Sequence, residues 1–100
     1  MCIRDRLDVV TEIRKRVGND FIIGLRYTAD EVEKGGITPE LGLEISKRLD
    51  ESGFFDFLNV IRGRVHTDPA MTDVIPLQGM RAAPHLDFAG EVKKITTLDF

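Results

Sequence analysis

Cysteine is almost absent from this chain: there is one, Cys2, in 100 residues. A disulfide needs two thiols and a thiolate metal site three or four, so neither forms within this stretch. A reducing, cytoplasmic setting is the expectation that follows. Tryptophan is missing, and histidine occurs twice, with no metal-ligand spacing and no nucleophile–base arrangement around it. Excess positive charge is also lacking. Fourteen Lys and Arg against seventeen Asp and Glu leave a net charge of −3, which carries no electrostatic footprint for nucleic acid. No apolar run approaches the roughly 20 residues that a membrane-spanning helix requires. The opening residues do not read as a signal peptide, because Arg4, Asp5, Arg6 and Asp8 interrupt any apolar h-region. Neither nucleic acid nor membrane is therefore an expected partner. What is present, 42% hydrophobic and 31% charged residues, is ordinary for one small globular α/β or α+β domain.

The first six residues, MCIRDR, read as the translation of a sequencing adapter, so the domain is expected over residues 7–100. From Leu7, the residues Val10, Ile13 and Val17 recur at helical spacing, with Arg14, Lys15 and Arg16 where cations suit the helix dipole. Gly18-Asn19-Asp20 supplies the stop and turn. The run Phe21 to Tyr27 is almost continuously apolar, as in a strand buried on both faces of a parallel sheet. A second helix is signalled by Thr38 as N-cap, Pro39 at its first position and Glu40 beside the positive helix end. Leu41, Ile45 and Leu49 form its stripe, and Gly53 stops it. Phe55 to Ile61 is the next strand, and Asp87 to Thr96 a last helix. The reading is α-β-α-β-α, with a βαβ unit at its centre.

The connections are asymmetric. Turns before strands are two or three residues, whereas 28–37 and 62–86 are long strand-to-helix loops. Long loops at the C-terminal ends of parallel strands are where barrels and open α/β sheets build their sites. Two strands neither close a barrel nor cover their own edges. The chain is thus expected to be an internal piece of a larger barrel, incapable of catalysis by itself and partnered by the remainder of that barrel.

Arg26 is the most informative residue. At the end of an apolar strand a guanidinium suits an anionic ligand or a cofactor carbonyl that gains charge on reduction. A structural ion pair with Asp30 or Glu31 explains it equally well. Gly35-Gly36 matches no phosphate-binding motif and suits backbone freedom before Thr38, while Asp30, Glu31 and Glu33 read as a solvated loop surface. In the long second loop Arg62, His66 and Asp68 are substrate-site candidates, since arginine clamps carboxylates and histidine titrates near neutrality. The competing view is a lid packed on its own Met71, Ile75, Leu77 and Met80.

Ile23-Gly24-Leu25-Arg26, Asp56-Phe57-Leu58-Asn59-Val60, and the run from Asp68-Pro69-Ala70-Met71 through Ala83-Pro84-His85-Leu86 resemble the NADH:flavin oxidoreductase/Old Yellow Enzyme family. The similarity covers about residues 7–100. It is closest to the multidomain branch that includes trimethylamine dehydrogenase, 2,4-dienoyl-CoA reductase and the N-methylproline and dimethylglycine demethylases. The resemblance implies part of a (β/α)8 TIM barrel around strands 5 and 6, FMN as cofactor, and a small-molecule substrate. It implies that Arg26 contacts the flavin near its N1/O2 edge and that Tyr27, Asn59, Val60 and Gly63 lie near the flavin or the site mouth. A [4Fe–4S] cluster and a second nucleotide cofactor would lie outside this stretch, as would the catalytic residues. The implied reaction is hydride transfer between substrate and flavin, with oxidative N-demethylation of a small methylated amine or amino acid favoured. Three other readings are a flavin-dependent ene-reductase, a barrel enzyme of another family, and a small non-catalytic α/β binding module.

Overall fold

A computed structural model describes residues 3–98. In chain order it contains α1 (Ile3–Val17), β1 (Gly24–Asp30), α2 (Pro39–Glu51), β2 (Phe57–Arg62), α3 (Asp68–Val74) and α4 (Leu86–Ile95). Helix α1 begins four residues before Leu7, because Ile3 extends the Leu7 stripe by one turn and both pack against the core. Helix α2 begins as its caps dictate: the Thr38 hydroxyl accepts from the Leu41 N–H, with Pro39 in the first turn. Helix α3 falls in the long loop and was not expected. Its own signal is the same, Thr67 as N-cap followed by a proline in the first turn.

The two strands pair in parallel, Gly24 opposite Phe57, Arg26 opposite Asn59, and Thr28 opposite Ile61. An irregularity between Thr28 and Asp30 then sets Asp30 opposite Arg62. Strand β1 runs 24–30, later than the expected 21–27. Phe21 and Ile22 are the lead-in and stay exposed, whereas the polar residues Thr28 and Asp30 are carried inside the ladder.

The two faces of the sheet differ. Leu25, Tyr27, Ala29, Leu58 and Val60 face the helices, and with Val10, Leu49 and Val92 they make the core. Helix α2 packs on β1, and α4 packs on β2 and α2. The approach of α2 requires Gly42, since a Cβ there would fall 1.8 Å from the Ala29 carbonyl oxygen. On the opposite face Arg26 and Asn59 are exposed and Phe57 is 40% exposed. The expected strand buried on both faces is therefore buried on one, because α2 and α4 pack on the same face.

Arg14 fastens the other end of the unit. Its guanidinium donates to the carbonyls of Phe21 and Phe54, and it pairs with Asp56 at 2.9 Å. Asp56 also accepts the Ile23 N–H at 2.8 Å. The Ile23 N–H, and then the Arg14 hydrogen bond, hold the Asp56 carboxyl below the ordinary aspartate range.

Two expectations follow. Gly42→Ala must push α2 away from β1 and should cost about 3 kcal/mol of stability, an overpacking effect; an unchanged denaturant midpoint would contradict this packing. Because the folded-state pKa of Asp56 is lowered, its contribution is complete above the ordinary aspartate range and disappears as pH falls through the lowered value. Asp56→Asn should accordingly flatten the acid limb of the stability–pH curve, measured by thermal unfolding across that range.

Candidate functional site

Both strand-to-helix loops hang from the C-terminal ends of β1 and β2, and Asp30 ties the two ends together. Asp30 is 5% exposed. Its carboxylate accepts from Arg62 Nε at 3.0 Å and from the Val32 N–H at 2.9 Å, and its carbonyl accepts the Gly63 N–H at 2.7 Å. Val32 is held at φ 54, a left-handed conformation that is strained for a β-branched residue. Gly63 sits at φ 86, where a Cβ would also meet a Val74 methyl at 2.9 Å, so α3 closes directly on the strand end.

His85 completes the fastening from the far end of the loop. Its Nδ1 accepts the Arg62 backbone N–H at 2.9 Å, while its Nε2 lies 3.1 Å from the Val74 carbonyl. An imidazole that accepts at Nδ1 carries its proton on Nε2 and donates it to Val74. The ring thus staples residues 74 and 85 to the end of β2.

On the open side of these ends lies a depression of about 500 Å³ bordered by Arg26, Thr28, Glu31, Gly63, Arg64 and His66. Arg26 is the third residue of β1, not near its end as expected, because the strand continues to Asp30. It has no hydrogen-bond or ion-pair partner among the described residues. The two carboxylates that could have paired with it are used elsewhere. Asp30 holds Arg62, and Glu31 folds back to accept the Ile37 N–H at 2.8 Å. The structural ion pair is therefore absent, and the open guanidinium remains.

The other candidates separate. His66 borders the depression, its Nε2 3.3 Å from Glu33 Oε1. Arg64 Nη1 lies 2.9 Å from the other oxygen of Glu33. Arg62 instead borders a neighbouring cavity of about 180 Å³ with Asp73 and Arg81, and Asp68, in the first turn of α3, does not line the depression. Tyr27 and Val60 lie on the helix-covered face, where the Tyr27 hydroxyl meets Ser46 of α2, so they do not share the face of Arg26 and Asn59. Two group readings change as well. Asp30, Glu31 and Glu33 are individually engaged rather than merely solvated, and Met71, Ile75, Leu77 and Met80 are exposed, between 40% and 63%, rather than packed under a lid. Glu33 as a bridge and His85 as a staple went unseen in the sequence. Their partners are 31 and 23 residues away, beyond any local pattern.

Among the described residues no group of three His, Cys, Asp or Glu is placed to hold a metal ion, and no helix is long and apolar enough to cross a membrane. Across nearly its whole length the sequence is similar to oxidoreductases of the NADH:flavin oxidoreductase/Old Yellow Enzyme kind. It is 62% identical over 89 residues, 89% of this chain and 13% of the relative, to "Probable N-methylproline demethylase" of Rhizobium meliloti (strain 1021). It is 37% identical over 97 residues, 96% of this chain and 14% of the relative, to "Multifunctional alkene reductase/demethylase OYE" of Caballeronia cordobensis. A third relative, "N,N-dimethylglycine/sarcosine dehydrogenase" of Chromohalobacter salexigens, is 31% identical over 96 residues, 96% of this chain and 14% of its own length. The chain spans about one seventh of the length of these relatives. No family model matches it, and no solved structure does.

His85→Ala should leave the Arg62 N–H without its acceptor and cost about 1–2 kcal/mol. The expected signature is faster amide hydrogen exchange confined to residues 62–85; unchanged exchange there would show that the staple does not hold the loop.

Proposed function

We propose that this chain contributes the fifth and sixth strands of an FMN-binding (β/α)8 barrel, in an enzyme that oxidatively demethylates a small N-methylated amine or amino acid. Residues 7–100 would form the incomplete barrel domain, with neighbouring strands supplied by sequence outside it. The observation that carries the reading is Arg26. It is an arginine with no partner among the described residues, on the open face of a parallel sheet, in a stretch 62% identical to a protein named for N-methylproline demethylation.

The residues present fit a flavin edge. Arg26 offers unpaired N–H donors beside Asn59, on a face with no competing carboxylate bonded to it. A planar, oxygen-bearing group that accumulates negative charge is what such a cation recognises. When bound, FMN would accept the hydride removed from the N-methyl carbon. Arg26 would hold the N1/O2 edge of the ring and favour its reduced, anionic form. Gly63 would leave room at the site mouth, and the loop carrying Arg62, Arg64, His66 and Asp68 would border the substrate. Cofactors such as an iron–sulfur cluster or a second nucleotide belong to sequence outside this chain. The name of the second relative, an alkene reductase as well as a demethylase, supports an ene-reductase as the alternative, and turnover of the intact protein with both substrate classes separates the two.

In the intact protein Arg26→Ala should slow substrate-dependent flavin reduction on the order of 100-fold, as for other preorganised donors at a developing charge, and weaken flavin retention. Arg26→Lys should keep part of both. Stopped-flow flavin absorbance and bound-flavin content measure the effect; if neither changes in Arg26→Ala, Arg26 is not the flavin contact.

A further inference from the structure

We propose that Glu33 is a positioning residue that presents Arg64 to the carboxylate of the substrate. This rests on the reading above that the substrate is a methylated amino acid. Glu33 comes from the loop after β1 and Arg64 from the loop after β2, and they meet at 2.9 Å between Oε2 and Nη1. The second oxygen of Glu33 faces His66 Nε2 at 3.3 Å. One carboxylate therefore spans two side chains of the opposite loop at the rim of the depression.

A guanidinium has five N–H donors arranged for bidentate recognition of a carboxylate. Glu33 occupies Nη1 alone, and Nε and Nη2 of Arg64 have no acceptor among the described residues. Arg64 is 46% exposed and Glu33 41%, so the pair is held in place yet accessible. Without Glu33 the long side chain of Arg64, on a glycine-led loop, would lose its rotamer freedom only when ligand arrives, at a cost in affinity.

Charge points the same way. The border of the depression carries Arg26 and Arg64, and the carboxylates beside it are engaged: Glu31 is turned onto the Ile37 N–H, and Glu33 meets Arg64 through Nη1 alone. The guanidinium donors left over suit an anionic end of the ligand. Of the two arginines near the end of β2, Arg62 is excluded from this role. Its Nε serves the buried Asp30, and its side chain opens on the other cavity. Arg64 is left as the carboxylate receptor, with Glu33 setting its aim.

The test uses the intact, flavin-loaded protein and two unreactive probes, L-proline and pyrrolidine, which share a ring and differ by the carboxylate. Calorimetric Kd values and the kcat and KM for N-methylproline are the readouts. Wild type should bind proline more tightly than pyrrolidine. Arg64→Ala should weaken proline binding on the order of 30-fold, the worth of a charge-assisted hydrogen-bonded pair, and reduce the proline-to-pyrrolidine preference by the same factor. Glu33→Gln should weaken proline binding roughly 3- to 10-fold and raise KM more than it lowers kcat, with Glu33→Asp partly restoring both. Flavin absorbance and the unfolding midpoint confirm that each variant is folded. If the wild type oxidises N-methylproline and Arg64→Ala keeps its preference for proline, Arg64 and Glu33 are not the carboxylate site, although the demethylase reading stands. If Arg64→Ala loses the preference while Glu33→Gln matches wild type, the positioning role of Glu33 is overturned. Should the wild type neither oxidise N-methylproline nor prefer proline, both the reading and this inference fail.

Discussion

A buried carboxylate left unpaired at a strand end would cost several kcal/mol, and the need to satisfy Asp30 organises everything at the open end of this sheet. Arg62 answers its charge, the Val32 N–H takes the other oxygen, and the Asp30 carbonyl takes Gly63. These bonds fix the first residues of both loops, one of them in a strained left-handed conformation. They also consume the nearest carboxylate and the nearest arginine. Arg26 is left without a partner among the described residues, and Arg64 meets Glu33 instead, because Asp30 and Arg62 have already taken each other.

The sheet divides a packed face from an open one. Alternate residues of β1 and β2 pack under α2 and α4, and the others carry Arg26, Thr28, Asn59 and Ile61 toward the open side. Such alternation places a polar open surface next to a dry core, since successive side chains of a strand point to opposite faces. The same alternation explains why Tyr27 and Val60, neighbours of Arg26 and Asn59 in sequence, serve packing. The opposite end of the sheet is closed by Arg14, whose bonds to Phe21, Phe54 and Asp56 gather the entry of both strands. One end is thus locked by a structural cation, while the other leaves Arg26 without a partner among the described residues.

How far the sequence could be read depended on the range of each interaction. Helix α2 was legible because Thr38 and Pro39 act on their own neighbours. The short α3 carries the same signal at Thr67 and Pro69, but it lies within what reads as one long loop. The start of β1 was misplaced by three residues, since Phe21 and Ile22 look like strand, and only pairing with β2 decides that the ladder begins at Gly24. Arg26 stood out as a cation in an apolar run, yet its freedom from Asp30 and Glu31 depended on where those acids turned. The Glu33–Arg64 and Arg62–His85 contacts join residues far apart in the chain, and no spacing rule reaches them.

What the sequence determined by itself is therefore local and compositional: the alternation of helix and strand, the caps, the long loops on one side, and the family likeness carried by short runs around Arg26 and Asn59. Those features follow from periodicities and steric preferences that act within a few residues. The tertiary structure alone decided which face of the sheet is open, which arginine is spent on Asp30, and which is left without a partner among the described residues. Each of those outcomes is a competition among distant charged and polar groups for a limited set of partners, and only three-dimensional proximity resolves it.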